Sequence, residues 1–244
     1  MHVLLLALLT GCVSQKRQQQ SSAQESLGAA YLREANPAAA VNVLREAVRL
    51  DPRNPAAWEK LALAYMAQGV LDDSETAFQR ALRLSPEQAE LRNNYGLLLL
   101  QQERRPEAIA QFQSALEDIT YRSPALVLNN LGYALYGEGQ HEDAQQRLNE
   151  AIRRSPELCP AYFNRGLVHR ALGLQQLALS DFDAVIQRCP DEAMGSYFQA
   201  GGLLLELDDT YGGCSYLRVV VDEAPTSLLA PQAREVLARE CSAW

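Results

Sequence analysis

Pro52 and Pro86 stand 34 residues apart, and the chain between them reads as two amphipathic helices joined by a turn. Trp58, Leu61, Ala62 and Tyr65 recur at helical spacing, Gln68-Gly69 interrupts them, and Phe78, Ala81 and Leu82 resume the pattern. Residues three and four apart share one helix face. Pro86 ends the second helix, since proline lacks the N–H that a helix interior needs. One such hairpin cannot bury its apolar faces alone, so copies are expected on both sides.

The residues from Pro55 onward resemble the tetratricopeptide repeat: Trp58-x2-Leu61-Ala62-x2-Tyr65, then Ser74, Phe78, Ala81 and Pro86. With Pro55 as position 1, the rest of the chain reads in phase as repeats over 21–54, 55–88, 89–124, 125–158, 159–193 and 194–227. Repeat 1 carries Leu27, Gly28, Tyr31, Ala40, Leu44 and Ala47 in phase, with Gln24 where an aromatic is expected. Repeat 3 is two residues too long before Pro124, and repeat 6 is the most degenerate, with Gly213 at position 20. A final helix over 228–241 reads as a cap, with Leu229, Val236 and Leu237 inward. The predicted fold is all-α: a right-handed superhelical solenoid of six repeats forming one domain over 21–241, with the capping helix at its end.

A hydrophobic share of 48% and a charged share of 21% suit a folded chain of 244 residues. The formal net charge of −8 argues against nucleic-acid binding and against a polybasic membrane patch, both of which need clustered Lys and Arg.

The apolar run Val3–Leu9 is too short to span a bilayer but fits a signal-peptide core over residues 1–11. It leads into Leu9-Thr10-Gly11-Cys12, which resembles a bacterial lipobox. The resemblance implies lipidation at Cys12 and a membrane anchor through the acyl chains. Val13 after the cysteine, rather than Asp, implies delivery to the outer membrane, facing the periplasm. Residues 12–20 are read as the lipidated cysteine and a flexible tether.

Four further cysteines fall late in the chain, and an oxidising periplasm permits disulfides. Cys159 and Cys189 are positions 1 and 31 of repeat 5, the start of one helix and the end of its antiparallel partner. Cys214 lies near the start of the second helix of repeat 6, and Cys241 at the end of the cap packing against it. The spacing predicts Cys159–Cys189 and Cys214–Cys241; free thiols are the alternative, and no C-x2-C spacing points to zinc.

No nucleotide, zinc-hydrolase or serine-hydrolase motif is present, and no cofactor is implied. His169 occupies position 11, normally a core tyrosine, and reads as structural. Asp72-Asp73 and Asp208-Asp209 fall at helix starts, where carboxylates complement the helix dipole. The chain reads as a binding module and not an enzyme.

In tetratricopeptide arrays positions 2, 5, 9, 12 and 13 of the first helix line a concave face. Here those positions include Leu32, Leu63, Met66, Leu97, Leu100, Tyr133, Tyr136, Phe163 and Leu167, read as a continuous apolar stripe for a partner's amphipathic helix or extended segment. For Leu97 and Leu167, packing between neighbouring helices is an equal alternative. Glu25, Glu59, Asn93 and Asn129 share these positions.

A lipobox leading directly into six repeats resembles the type IV pilus biogenesis lipoproteins that act as pilotins for the outer-membrane secretin. The stretch from Ser26 to Gly69 and the segment LRNNYGLLLLQQ carry that resemblance, and the extra cysteines and cap resemble its myxobacterial social-motility member. The resemblance implies that secretin subunits are the partners, and that the protein promotes their outer-membrane localisation and assembly. A general periplasmic adaptor lipoprotein scaffolding peptidoglycan enzymes is the alternative.

Overall fold

A computed structural model describes the backbone of residues 2–241 and the side chains of residues 15–241. Among the described residues all regular structure is helical. The chain forms two compact units, residues 1–121 and 122–244, where the sequence predicts one unbroken array. The first holds α1 (His2–Arg33), α2 (Pro37–Leu50), α3 (Pro55–Ala67), α4 (Leu71–Leu84), α5 (Ala89–Gln101) and α6 (Arg105–Ala115). The second holds α7 (Pro124–Gly137), α8 (His141–Arg154), α9 (Cys159–Ala171), α10 (Gln175–Arg188), α11 (Met194–Glu206), α12 (Thr210–Glu223) and α13 (Leu229–Glu240). Within each unit, consecutive helices pair as hairpins, and the hairpins stack on one another.

Each hairpin turns in the same way. Position 15 of every repeat has a positive φ: Ala35, Gly69, Glu103, Gly139, Gly173 and Asp208. One residue later, a backbone N–H bonds back to the carbonyl of position 11 at 2.8–3.0 Å, from Asn36 to Tyr31 through to Asp209 to Leu204. This left-handed closure satisfies carbonyls that a helix end would otherwise orphan. The starts are set by Asn36, Asn54 and Asp209, whose side chains accept the N–H of Ala39, Ala57 and Gly212, and by Pro37, Pro55 and Pro124 in the first turns.

The large side chain at position 24 fills each hairpin: Leu44, Phe78, Phe112, Leu148, Phe182 and Leu217 are all fully buried. Position 8 opposite must be small. A Cβ added at Gly166 would stand 2.6 Å from the Phe182 ring. In repeat 6 the helices approach so closely that a Cβ on Gly213 would stand 2.8 Å from the Gly201 carbonyl oxygen. Its departure from the repeat pattern is therefore a packing requirement.

Four details differ from the sequence reading. Residues 15–20, expected as tether, are helical in α1, since Gln, Lys and Arg propagate a helix and no Gly or Pro interrupts them. Leu27 is 42% exposed, whereas Leu61 and Leu131 at the same repeat position are buried; no preceding hairpin covers it among the described residues. The second helix of repeat 3, α6, stops at Ala115. Just beyond it, Asp118 accepts the N–H and hydroxyl of Thr120 at 2.9 and 2.6 Å, a local turn that competes with helix. In the cap, Ala230 and Ala233 are the fully buried residues, with Leu229, Val236 and Leu237 half-buried against Leu217 and Val220, and Leu228 is exposed. The side chains of the signal segment and of Cys12 lie outside the described residues.

Candidate functional site

The faces of α3, α5, α7 and α9 carry most of the residues read as a groove. In the first unit Leu32, Leu63, Met66, Leu97 and Leu100 are all half-buried, so each keeps apolar surface open to solvent. In the second, Tyr133 is 49% exposed. Tyr136 is half-buried, its ring 5.6 Å from the His141 imidazole. Phe163 departs from the groove reading. Its ring lies 5.9 Å from that of Phe182, and its edge approaches to 3.1 Å of where a Gly195 Cβ would stand, so it fills the seam between α9 and α11. Leu167 packs beside it against Ala178, Phe182, Ala200 and Leu203. For these two, packing between α9 and α11 takes up much of the side chain, with Gly195 leaving room for the Phe163 ring.

A polar ladder runs between the apolar positions. Asn94 donates to Glu59 at 2.9 Å, Asn164 donates to Asn129 at 2.9 Å, and Lys60 pairs with Glu25 at 3.6 Å. Position 6 of one repeat thus bonds position 5 of the repeat before. Glu59, Asn93 and Asn129 are buried, Glu59 being only 4% exposed. Residues expected to meet a partner instead tie neighbouring helices together. Burial pushes the Glu59 carboxyl above the ordinary carboxylate range, against the partial relief of the Asn94 bond.

Two other polar clusters went unread in the sequence. Glu75 of α4 accepts Tyr95 Oη at 3.0 Å, Gln102 Nε2 at 3.2 Å and Arg104 at 2.7 Å. Burial alone would raise its pKa, but these three donors outweigh it and hold the carboxyl below its usual value. In the second unit Arg165 donates to both oxygens of Asp181, at 3.0 and 2.5 Å, and to Asn149 at 2.7 Å. His169 is buried with Nδ1 2.9 Å from Asp181 Oδ2, close but off the hydrogen-bonding direction. His169 thus sits in the core as a structural residue, with Asp181 beside it. The available signal was two polar residues, Arg165 and His169, at positions 7 and 11 of a repeat where apolar side chains belong.

The structure joins Cys159 to Cys189 and Cys214 to Cys241, with Cα atoms 6.5 and 6.0 Å apart. The first clasps the ends of the α9–α10 hairpin, and the second fastens α13 to α12. Loops of 30 and 27 residues correspond to roughly 3–4 kcal/mol each in the chain-entropy account. Asp72-Asp73 sit in the first turn of α4, and Asp209 caps α12, as expected of carboxylates at helix starts. Among the described residues no three His, Cys, Asp or Glu side chains converge as a metal site, and no helix is long and apolar enough to cross a membrane. In each unit these helix faces offer apolar surface on a polar frame.

Comparison with known proteins gives a consistent picture. The chain is 28% identical over 162 residues to the type IV pilus assembly protein PilF of Pseudomonas aeruginosa, a match spanning 62% of this chain and 64% of that protein. The crystal structure of PilW, a widely conserved type IV pilus biogenesis factor, superposes with a TM-score of 0.82 at 25% identity, covering 88% of this chain and 98% of PilW. The solved structure of P. aeruginosa PilF shares the fold, with a TM-score of 0.78 at 22% identity over 90% of this chain and 99% of that one. A tetratricopeptide repeat model matches residues 60–123 and 129–193, and a second one matches 38–69. The matched residues make up more than half of the chain, which therefore belongs to the tetratricopeptide repeat family.

Proposed function

We propose that the protein is an outer-membrane lipoprotein of the type IV pilus machine, a pilotin that binds secretin subunits and promotes their localisation and multimer assembly. The observation that carries this reading is the likeness to PilW over nearly the whole of both chains, at 25% identity; the kinship with PilF supports it. Lipidation of Cys12 is part of the proposal. Three acyl chains, at about 0.8 kcal/mol per buried CH2, hold a protein firmly at a membrane.

The half-buried leucines, Met66 and Tyr133 suit such a role. They cover an apolar secretin segment until the subunits pair with one another. Met is adaptable at binding surfaces, and Met and Tyr are both enriched at interfaces. No covalent step is needed. Deletion of the gene is expected to abolish heat-resistant secretin multimers and surface pili; normal multimers in the deletion strain would contradict the reading. A Cys12→Ser protein is expected to leave the outer-membrane fraction.

A further inference from the structure

Position 9 of the first helix carries Leu63, Leu97, Tyr133 and Leu167 in repeats 2 to 5, but Gly202 in repeat 6. A Cβ at Gly202 would meet nothing within 4 Å. The missing side chain opens a pocket of about 420 Å3 between α11 and α13, floored by Phe198, Leu205, Leu217 and Val236. That volume lies in the range of sites that enclose a ligand group, roughly 300–1,000 Å3. The Cys214–Cys241 bond fastens α13, which forms one wall, to α12. The pocket is thus shaped before a ligand arrives, and little ordering is needed on binding.

The rim decides what can enter. Arg170 is engaged by Gln199 at 2.8 Å and by Glu206, and Arg239 by Glu240 at 2.7 Å. Each arginine faces its own carboxylate, so the rim offers no unanswered charge. A charged group finds no unpaired opposite charge at this rim, and against the apolar floor it would lose part of its hydration. An uncharged apolar group meets an apolar floor.

We propose that this pocket is an anchor subsite, taking one large uncharged side chain, aromatic or leucine-like, from the segment that the partner lays on the protein. The assignment rests on the partner-binding reading above and adds the residue class that the partner must present.

The test begins with small probes and the full chain. In amide NMR titrations, N-acetyl-phenylalaninamide is expected to shift Gly202, Leu205 and Val236 saturably, at least tenfold more tightly than N-acetyl-glutamic acid amide. Gly202→Leu, whose side chain enters open space, is expected to abolish those shifts, and Gly202→Ala to weaken them, both variants melting as the parent does. Gly202→Leu is also expected to weaken binding of the secretin subunit at least tenfold. Absent or unsaturable shifts, or shifts that persist in Gly202→Leu, overturn the pocket. Loss of probe binding with full secretin affinity overturns the subsite assignment, as does a parent dimer that Gly202→Leu converts to monomer, since a second copy is then the occupant. Probe binding by a parent protein that binds no secretin overturns the partner reading itself, and with it the assignment.

Discussion

Asn164 donates a hydrogen bond of 2.9 Å to Asn129, 35 residues earlier, and Asn94 does the same to Glu59 at the same separation. The bond passes from one repeat to the next, so it fixes how neighbouring first helices slide past each other while leaving positions 9 and 12 free for a partner. Asn129 is buried, and removing its donor takes away the hydrogen bond that its side-chain oxygen accepts from Asn164. Asn164→Ala is therefore expected to cost about 1–3 kcal/mol, read as a lower urea midpoint with an unchanged slope.

Glu59 makes the same ladder bond at an electrostatic cost. Burial raises its pKa above the ordinary 4.5 in the folded state, so between those two values the native chain holds a proton that the unfolded chain has lost. Its contribution to stability accordingly falls as pH rises through that window. Glu59→Gln keeps an acceptor for Asn94 without the charge. Thermal melts are expected to show it more stable than the parent at pH 7.5, with the gain fading as pH drops through the carboxylate range. A gain that grows toward low pH would contradict the assignment.

The Arg165–Asp181–His169 cluster replaces apolar packing in repeat 5. Truncating one partner, Asp181→Ala, leaves the half-buried Arg165 guanidinium with Asn149 as its remaining partner and is expected to cost about 1–3 kcal/mol. Replacing all three with the residues that repeat 2 carries at those positions, Arg165→Leu, His169→Tyr and Asp181→Ala, is expected to restore stability to the parent level or above it. Calorimetry on the two variants separates a stabilising cluster from a merely tolerated one.

Position 15 offers a paired test of the turn. Gly139 and Ala35 have φ of 75° and 53°, a region that costs a residue with a Cβ roughly 1–2 kcal/mol. Gly139→Ala is expected to lower the melting temperature and Ala35→Gly to raise it. Opposite signs at equivalent positions would be hard to explain by anything but backbone strain.

Much of the fold was legible because a 34-residue period repeats its evidence. Leu44, Phe78 and Phe112 could be placed inward from any one of the three, and the positive φ at position 15 recurs even in the degenerate repeat 6, where Asp208 replaces glycine. The polar pairs were not legible, because Glu59 and Asn129 sit at positions that the repeat pattern leaves unconstrained, and their partners lie one repeat away. The packing of Phe163 was not legible for a related reason: it depends on Gly195 across the seam, and a period shows a residue's own position but not the size of its neighbour. The break at residue 121 was visible only as two surplus residues before Pro124, since the Asp118–Thr120 turn that ends α6 is a local hydrogen-bonding choice with no periodic signature.

In the proposed function, the apolar surface that these helix faces leave open to solvent binds the secretin subunit. Titration calorimetry of purified protein with a secretin subunit tests it directly, comparing the parent with Met66→Asp, Tyr133→Asp and the double variant. Tyr133 is half exposed and Met66 keeps part of its side chain open to solvent, so the variants are expected to fold as the parent does, while each placed charge is expected to weaken binding at least tenfold and the pair to abolish it. Parent-like affinity in the folded double variant would show that the partner is held by another surface.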